Sequence, residues 1–98
     1  MIEKFTLDTF TPHLNSIFRI KEGDTVVLEL QLVEAKDVGT TSRQIQFSII
    51  FRGPQNLYLP QSIYNLEHDR LGTFDLFLVP IKRDQEGTHY EAIFNRPL

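Results

Sequence analysis

Three histidines, at positions 13, 68 and 89, are the residues of this chain best suited to proton transfer or metal binding. His68 stands between Glu67 and Asp69, so one hypothesis is a metal-dependent or hydrolytic enzyme that uses His68. The spacing argues against it, because no His-x-x-x-His pair occurs and successive residues of a strand point to opposite faces. We expect His68 to stand at the end of a strand, capped by the neighbouring carboxylates, and we expect no metal site.

Other catalytic chemistry has as little support. No serine lies in the Gly-x-Ser-x-Gly turn of hydrolases, and the five glycines are scattered among turns without forming a phosphate-binding loop. Glu29, Asp75 and Glu91 are carboxylates in the middle of strands, but alternation places each on the outer face, where cross-strand pairing is their ordinary role. The chain has no Cys, which excludes a thiolate nucleophile and a Cys-based metal centre. We therefore expect no catalytic residue and no cofactor.

Composition restricts the partners and the setting. The net charge of −3 disfavours nucleic acid, whose phosphates require a basic surface. No apolar stretch approaches the roughly 20 residues of a membrane span, and the first ten residues lack the apolar core of a signal peptide. We expect a cytoplasmic protein, or one exported only as part of an assembly. With 98 residues, of which 41% are apolar, the chain predicts a single domain over residues 1–98.

The elements that would position these residues are mostly strands. Thr6 is a candidate N-cap for a short helix over Leu7–Phe10, which Pro12 would break or bend. Gly23 and Asp24 separate two alternating segments and predict a hairpin. Turns then separate further strands at regular intervals. The pattern predicts an all-β protein: an antiparallel six-stranded barrel or barrel-like sandwich with a short N-terminal helical segment.

Period-two alternation also predicts which side chains face the interior. The predicted inward residues are Val26, Leu28, Leu30, Leu32, Ile45, Phe47, Ile49, Phe51, Tyr64, Leu66, Phe74, Leu76, Leu78, Tyr90, Ala92 and Phe94. The outer face carries apolar residues as well: Val27, Val33, Ile50, Phe77, Val79, Ile81 and Ile93. Either these strands are covered on both sides, or the outer face holds an apolar patch for self-association or a protein partner. Ile50, Phe77 and Ile93 are the strongest candidates because they lie near the middle of their strands.

The segment FRGPQNLYLPQ after the third strand also carries interface candidates. Arg52 could clamp a carboxylate, in its own chain or on a partner, and Tyr58 could anchor an interface. The alternative is structural: Pro54 and Pro60 would stiffen a crossing between strands, while Leu57 or Leu59 folds back over an open barrel end. We favour the structural interpretation, with Arg52 as a clamp and Tyr58 as the residue to mutate.

An ordered set of motifs covers nearly the whole chain. It comprises Phe51-Arg52-Gly53-Pro54, Leu59-Pro60-Gln61, Tyr64, Leu66-Glu67-His68, Leu71-Gly72, Leu76–Pro80 and Tyr90–Asn95. In these motifs the chain resembles a family of small bacterial all-β proteins of unknown function, some of them encoded beside proteins similar to phage-tail collar or tail-fibre proteins. The resemblance implies a setting in a phage-tail-like or surface structure, and it implies no catalytic residue.

Three functions remain in view. The first is a non-enzymatic interaction or assembly module that binds a protein partner or itself through the outer apolar face. The second is a barrel that binds a small apolar ligand, which requires a cavity of several hundred cubic ångströms; the many inward Phe residues instead predict a filled core. The third is the enzyme that uses His68.

Overall fold

The computed structural model describes residues 5–98, in which six antiparallel strands close into a ring. The strands are β1 (Ile17–Glu22), β2 (Thr25–Asp37), β3 (Gln44–Gly53), β4 (Ser62–His68), β5 (Gly72–Asp84) and β6 (Gly87–Pro97). Around the ring their order is β1-β2-β3-β6-β5-β4, which makes a closed barrel. The predicted all-β class is confirmed, and the ring is the barrel form of the two alternatives. No signal peptide was expected in the first ten residues. Of these, residues 1–4 lie outside the described residues.

A short helical segment closes one end of the barrel. Helix α1 spans Leu7–Phe10 and a 3-10 turn follows over Thr11–His13, so Pro12 ends the α-helix as predicted. Thr6 precedes the helix, and its backbone N–H donates to Thr9 Oγ1 at 2.9 Å. Phe10 is fully buried and contacts the rings of Phe47, Phe74 and Phe94, so the helical segment completes the core.

The predicted first hairpin is present, with Glu22 opposite Thr25 and Gly23 at a φ of 59°. One inward prediction on β2 is wrong, because Val26 is exposed. The ladder shifts register between Ile20–Leu28 and Lys21–Val26, so Val27 is an extra residue in β2. This β-bulge reverses the alternation before Leu28 and turns Val26 outward, opposite Lys21.

Two further bulges interrupt the alternation. The β2–β3 register shifts at Val33, between the pairs Leu32–Phe51 and Glu34–Ile50, so Ala35 returns to the core side. The β5–β6 register shifts at Ile81, after Pro80, which has no backbone N–H to donate to a ladder. Val27, Val33 and Ile81 were all predicted on the outer face by alternation. They are the residues that the bulges insert, and Val27 and Ile81 are exposed, in agreement with that prediction.

The barrel interior is filled by side chains, as the inward Phe residues predicted. The largest fully buried side chains are Tyr90, Phe10, Phe18, Phe47, Phe51, Leu30, Leu32, Ile49, Leu66 and Leu78. Phe47 stacks on Phe94 with ring centroids 4.5 Å apart and nearly parallel planes. Aromatic pairs in this geometry contribute about 0.5–1.5 kcal/mol beyond the area they bury. Apart from Val26, the predicted inward residues are buried or packed against the core.

The segment between β3 and β4 crosses one end of the barrel, because these strands are not neighbours in the ring. Leu59 packs against the core, and its backbone N–H donates to the hydroxyl of Tyr90 at 3.0 Å. Arg83 donates to the carbonyl of Gln55 at 2.8 Å and holds the start of the crossing. Leu59 therefore folds back over this end of the barrel, which supports the structural interpretation of the corner.

Neighbouring strands of the ring share different numbers of ladder pairs. β1 and β4 share three ladder pairs, and beside them Arg19 donates to Glu67 at 2.9 Å and to Asp69 at 2.7 Å. β5 and β6 pair only from Val79–Glu91 to Asp84–Gly87. Within residues 5–98, no ladder pair joins residues 72–78 of β5 to residues 92–97 of β6. We call this gap the open seam.

Candidate functional site

A groove of about 320 Å³ lies along the open seam. One wall is residues 75–77 of β5 and the other is residues 92–96 of β6. Ile45, Phe47 and Phe5 complete the lining. Behind the groove, Phe10 contacts Phe74 of β5 and Phe94 of β6, so aromatic rings fill the interior where the backbones separate.

Large apolar side chains flank this groove on the outer face. Phe77 is 50% exposed and Ile93 is 61% exposed, and both line the groove. Ile63 of β4 is 67% exposed and stands directly opposite Phe77 in the β4–β5 ladder. Directly opposed residues of adjacent strands have Cβ atoms about 5 Å apart, so Ile63 and Phe77 form one surface. We call Ile63, Phe77 and Ile93 the apolar ridge.

Ile63 was absent from the predicted interface residues. The signal was available, because alternation that turns Tyr64 and Leu66 inward turns Ile63 outward. The seam itself had no sequence signal, since the length over which two strands stay paired depends on their positions in the ring.

Ile50 is not an exposed interface residue, contrary to the sequence prediction. It is 8% exposed, although it does lie on the outer face, opposite Glu34 and Glu91. It lines a second groove, of about 400 Å³, together with the bulge residues Val33 and Ile81. The bulges bring apolar side chains beside Ile50, and its burial favours the alternative that part of the outer face is covered within the chain.

This second groove also contains His89, which is 6% exposed. Within the described part of the chain, its Nδ1 atom is buried and has no hydrogen-bond partner. Cationic and anionic side chains both line the groove: Lys36, Arg52, Lys82, Glu34, Glu86 and Glu91. Since the two signs are balanced, the groove has no evident preference for a charged ligand. Residues 5–98 hold no cluster of three or more His, Cys, Asp or Glu side chains able to bind a metal ion.

Arg52 and Tyr58 occupy different environments. Arg52 Nη2 donates to Oε1 of Gln31 at 2.5 Å across the β2–β3 ladder. The clamp thus joins two strands of its own sheet through an amide. Tyr58 is exposed on the crossing segment beside exposed Leu57. The ring order places the crossing at a barrel end, and neither residue lines the seam groove.

His68 has a structural environment. Its Nδ1 atom accepts hydrogen bonds from the backbone N–H groups of Arg70 and Leu71, at 3.0 and 3.2 Å. The proton therefore lies on Nε2, which donates to Ser16 Oγ at 2.9 Å. Ser16 Oγ in turn donates to the carbonyl of His13. The expected carboxylate cap is absent among the described contacts, because Asp69 pairs with Arg19.

This arrangement differs from a Ser-His catalytic pair. In such a pair the imidazole accepts the serine proton and its other nitrogen donates to an acid. Here both directions are reversed, and Nδ1 is engaged by backbone donors. Burial lowers the pKa of His68, and the nearby His13 lowers that pKa further. His68 is therefore a neutral imidazole that joins the β4–β5 turn to the helical segment.

The fold and the exposed seam define the chain as a closed antiparallel β-barrel with an apolar, partly unpaired edge. The chain belongs to the family described as Domain of unknown function (DUF6916), whose model matches residues 5–94. Comparison with curated proteins and with solved structures finds no match. No helix among the described residues is long and apolar enough to cross a membrane.

Proposed function

We propose that this protein is a non-enzymatic interaction module that binds another protein through the apolar ridge. The observation that carries the proposal is the exposure of Ile63, Phe77 and Ile93 on adjacent strands beside one groove. Monomeric proteins rarely leave contiguous apolar surface open, and such surface commonly marks a binding site. A few side chains that are fully buried at the centre of an interface carry most of its binding energy.

The chemistry of the remaining groups favours binding over catalysis. The buried His68 has both nitrogens engaged in structural hydrogen bonds. Glu29 and Asp75 are exposed on the outer face, as alternation predicted, and Asp75 accepts a hydrogen bond from Asn65 at 3.0 Å. Both carboxylates are exposed, and Asp75 also lines the seam groove.

A binding experiment with matched variants tests the proposal. The protein is mixed with the purified products of neighbouring genes, and complexes are detected by light scattering. We expect a complex with at least one product that Phe77→Asp abolishes and Val27→Asp preserves. Val27 is exposed like Phe77 but lies on β2, three strands away around the ring. If the unchanged protein, Phe77→Asp and Val27→Asp all formed the same amount of complex, binding through the ridge would be contradicted.

Self-association is an outcome that the same instrument separates. Light scattering of the protein alone at increasing concentration reports dimers or larger species. A concentration-dependent mass that Phe77→Asp reduces would make a second copy the partner. A constant monomer mass leaves a heterologous partner as the occupant of the ridge.

The setting that we propose is a phage-tail-like or surface assembly, with the free protein cytoplasmic or exported only within that assembly. Its support is the resemblance to proteins encoded beside tail-collar-like proteins. The binding experiment above tests this setting when tail-like proteins are among the gene products, and we expect the complex to form with one of them. Binding to unrelated products instead would remove the tail setting while leaving the interaction module.

A second candidate function is binding of a small apolar ligand in the seam groove. The groove volume of about 320 Å³ and its aromatic lining favour it, because small-molecule sites typically begin near this size. A fluorescent apolar probe tests it: saturable binding that Ile93→Asp abolishes would support the ligand site. Fluorescence that rises without saturation would contradict it.

A further inference from the structure

We infer that the open seam binds one extended segment of the partner as an added β-strand, which deepens the proposed function and rests on it. β4 pairs with residues 72–78 of β5 on one side, and β3 pairs with residues 92–97 of β6 on one side. In a strand, every second residue directs its N–H and C=O groups to the opposite side. Both strands therefore present a main-chain edge to the groove.

The chemistry of these edges selects the occupant. Unpaired N–H and C=O groups along a strand edge form a template for another extended chain. About six residues on each edge, at about 3.3 Å per residue, make a template roughly 20 Å long. An apolar small molecule would cover the aromatic floor but leave these donors and acceptors without partners, whereas a peptide backbone satisfies them.

The walls of the groove predict the side chains of that segment. Phe5 and Phe10 already fill the interior behind the seam, so the inward positions of an added strand have room only for small residues. Its outward positions lie beside Phe77 and Ile93, where apolar side chains would bury the ridge. The expected segment alternates small and large apolar residues over five to seven positions, a length of about one ordinary strand.

A second copy of the barrel fits less well than a single segment. Away from the seam, each strand described in residues 5–98 has a ladder partner on both sides. If another copy offered the same edge, its own seam, the rims of that seam would carry the same Phe77 and Ile93. Two such rims would meet before the backbones could pair, while an isolated strand enters between them.

The test uses a displayed library of random peptides of about twelve residues, long enough to span the seam at about 3.3 Å per residue. The tightest binder is synthesised, and each backbone amide is methylated in turn. We expect methylation of every second residue to weaken binding by about tenfold, with little effect at the intervening residues. Bound peptide should also slow amide hydrogen exchange at residues 73–77 and 93–96.

Matched variants separate the possible results. Phe77→Asp and Ile93→Asp, each folded by circular dichroism, should lose the peptide, and Val27→Asp should retain it. A peptide that needs Phe77 and Ile93 but shows no period-two effect overturns strand addition and leaves the ridge as a binding surface. A peptide that binds equally to all variants, or a library that yields no binder, overturns the seam as a peptide site.

Discussion

Phe77 of β5 and Ile93 of β6 would stand opposite each other if the ladder pair Val79–Glu91 were continued by two residues, yet within residues 5–98 the strands do not pair there. Both side chains are half or more exposed, and both line one groove. The barrel thus opens beside two exposed apolar side chains. This coincidence of an open edge and exposed apolar side chains is the basis of the proposed binding role.

The first prediction separates binding from folding at Phe77. Because this side chain is exposed, Phe77→Asp should change the free energy of unfolding by less than about 1 kcal/mol. Urea denaturation followed by circular dichroism measures it, with Val27→Asp as the control for adding a carboxylate to the outer face. A loss of several kcal/mol would show that Phe77 is part of the core.

The second prediction concerns Phe10, which has the opposite role. It is fully buried against Phe47, Phe74 and Phe94, so Phe10→Ala should destabilise the protein by about 3–5 kcal/mol. The same denaturation experiment reports this loss, and Phe77→Ala is the matched exposed control. If Phe10→Ala lost no more stability than Phe77→Ala, the helical segment would not complete the core.

The third prediction is a pH dependence that originates at His68. Its pKa is lowered in the folded protein, so between the folded and unfolded pKa values the unfolded chain binds more protons. Stability should therefore fall as the pH decreases below about 6.5, the ordinary pKa of histidine. The groups around the ring are His13, Asp69, Arg19 and Arg70.

Denaturation midpoints at about pH 7.5 and 5.5 measure this effect on either side of the ordinary histidine pKa. His68→Gln should show a smaller difference between the two midpoints than the unchanged protein, because Gln does not titrate. His13→Gln serves as the control for a neighbouring histidine. An equal difference in the protein and in His68→Gln would assign the dependence to another group.

The fourth prediction concerns the turn between β5 and β6. Gly87 has a φ of 139°, and a Cβ placed there would collide with the backbone carbonyl oxygen of Gly53. Gly87→Asn should destabilise the protein by about 1–3 kcal/mol. Gly23→Asn is the matched control, since Gly23 has a φ of 59°, which Asn tolerates, and open space around it. Equal effects of the two changes would contradict the close approach.

Alternation predicted most of this fold because the core residues of each strand lie on one face. It failed at Val26 because a bulge inserts Val27 and reverses the alternation, and a bulge depends on how two strands pair. The β4–β5 register confirmed the outward position of Phe77, whereas the groove that buries Ile50 was not foreseen.

The site was less accessible to sequence reasoning than the fold. Ser16, the hydrogen-bond partner of His68, is separated from it by 52 positions, and nothing local links the two. The open seam depends on where β5 and β6 diverge around the closed ring. Exposed apolar residues could be anticipated from the sequence, but their gathering beside an unpaired edge is a tertiary property.

The most direct measurement of the central claim is photo-crosslinking from position 77 in the cells that make the protein. A photoreactive phenylalanine analogue replaces Phe77 in one variant and Val27 in another. We predict one discrete protein adduct from position 77 that is absent from position 27, with the partner crosslinked through an extended segment. No adduct from position 77, or the same adducts from both positions, would contradict the apolar ridge as the binding surface.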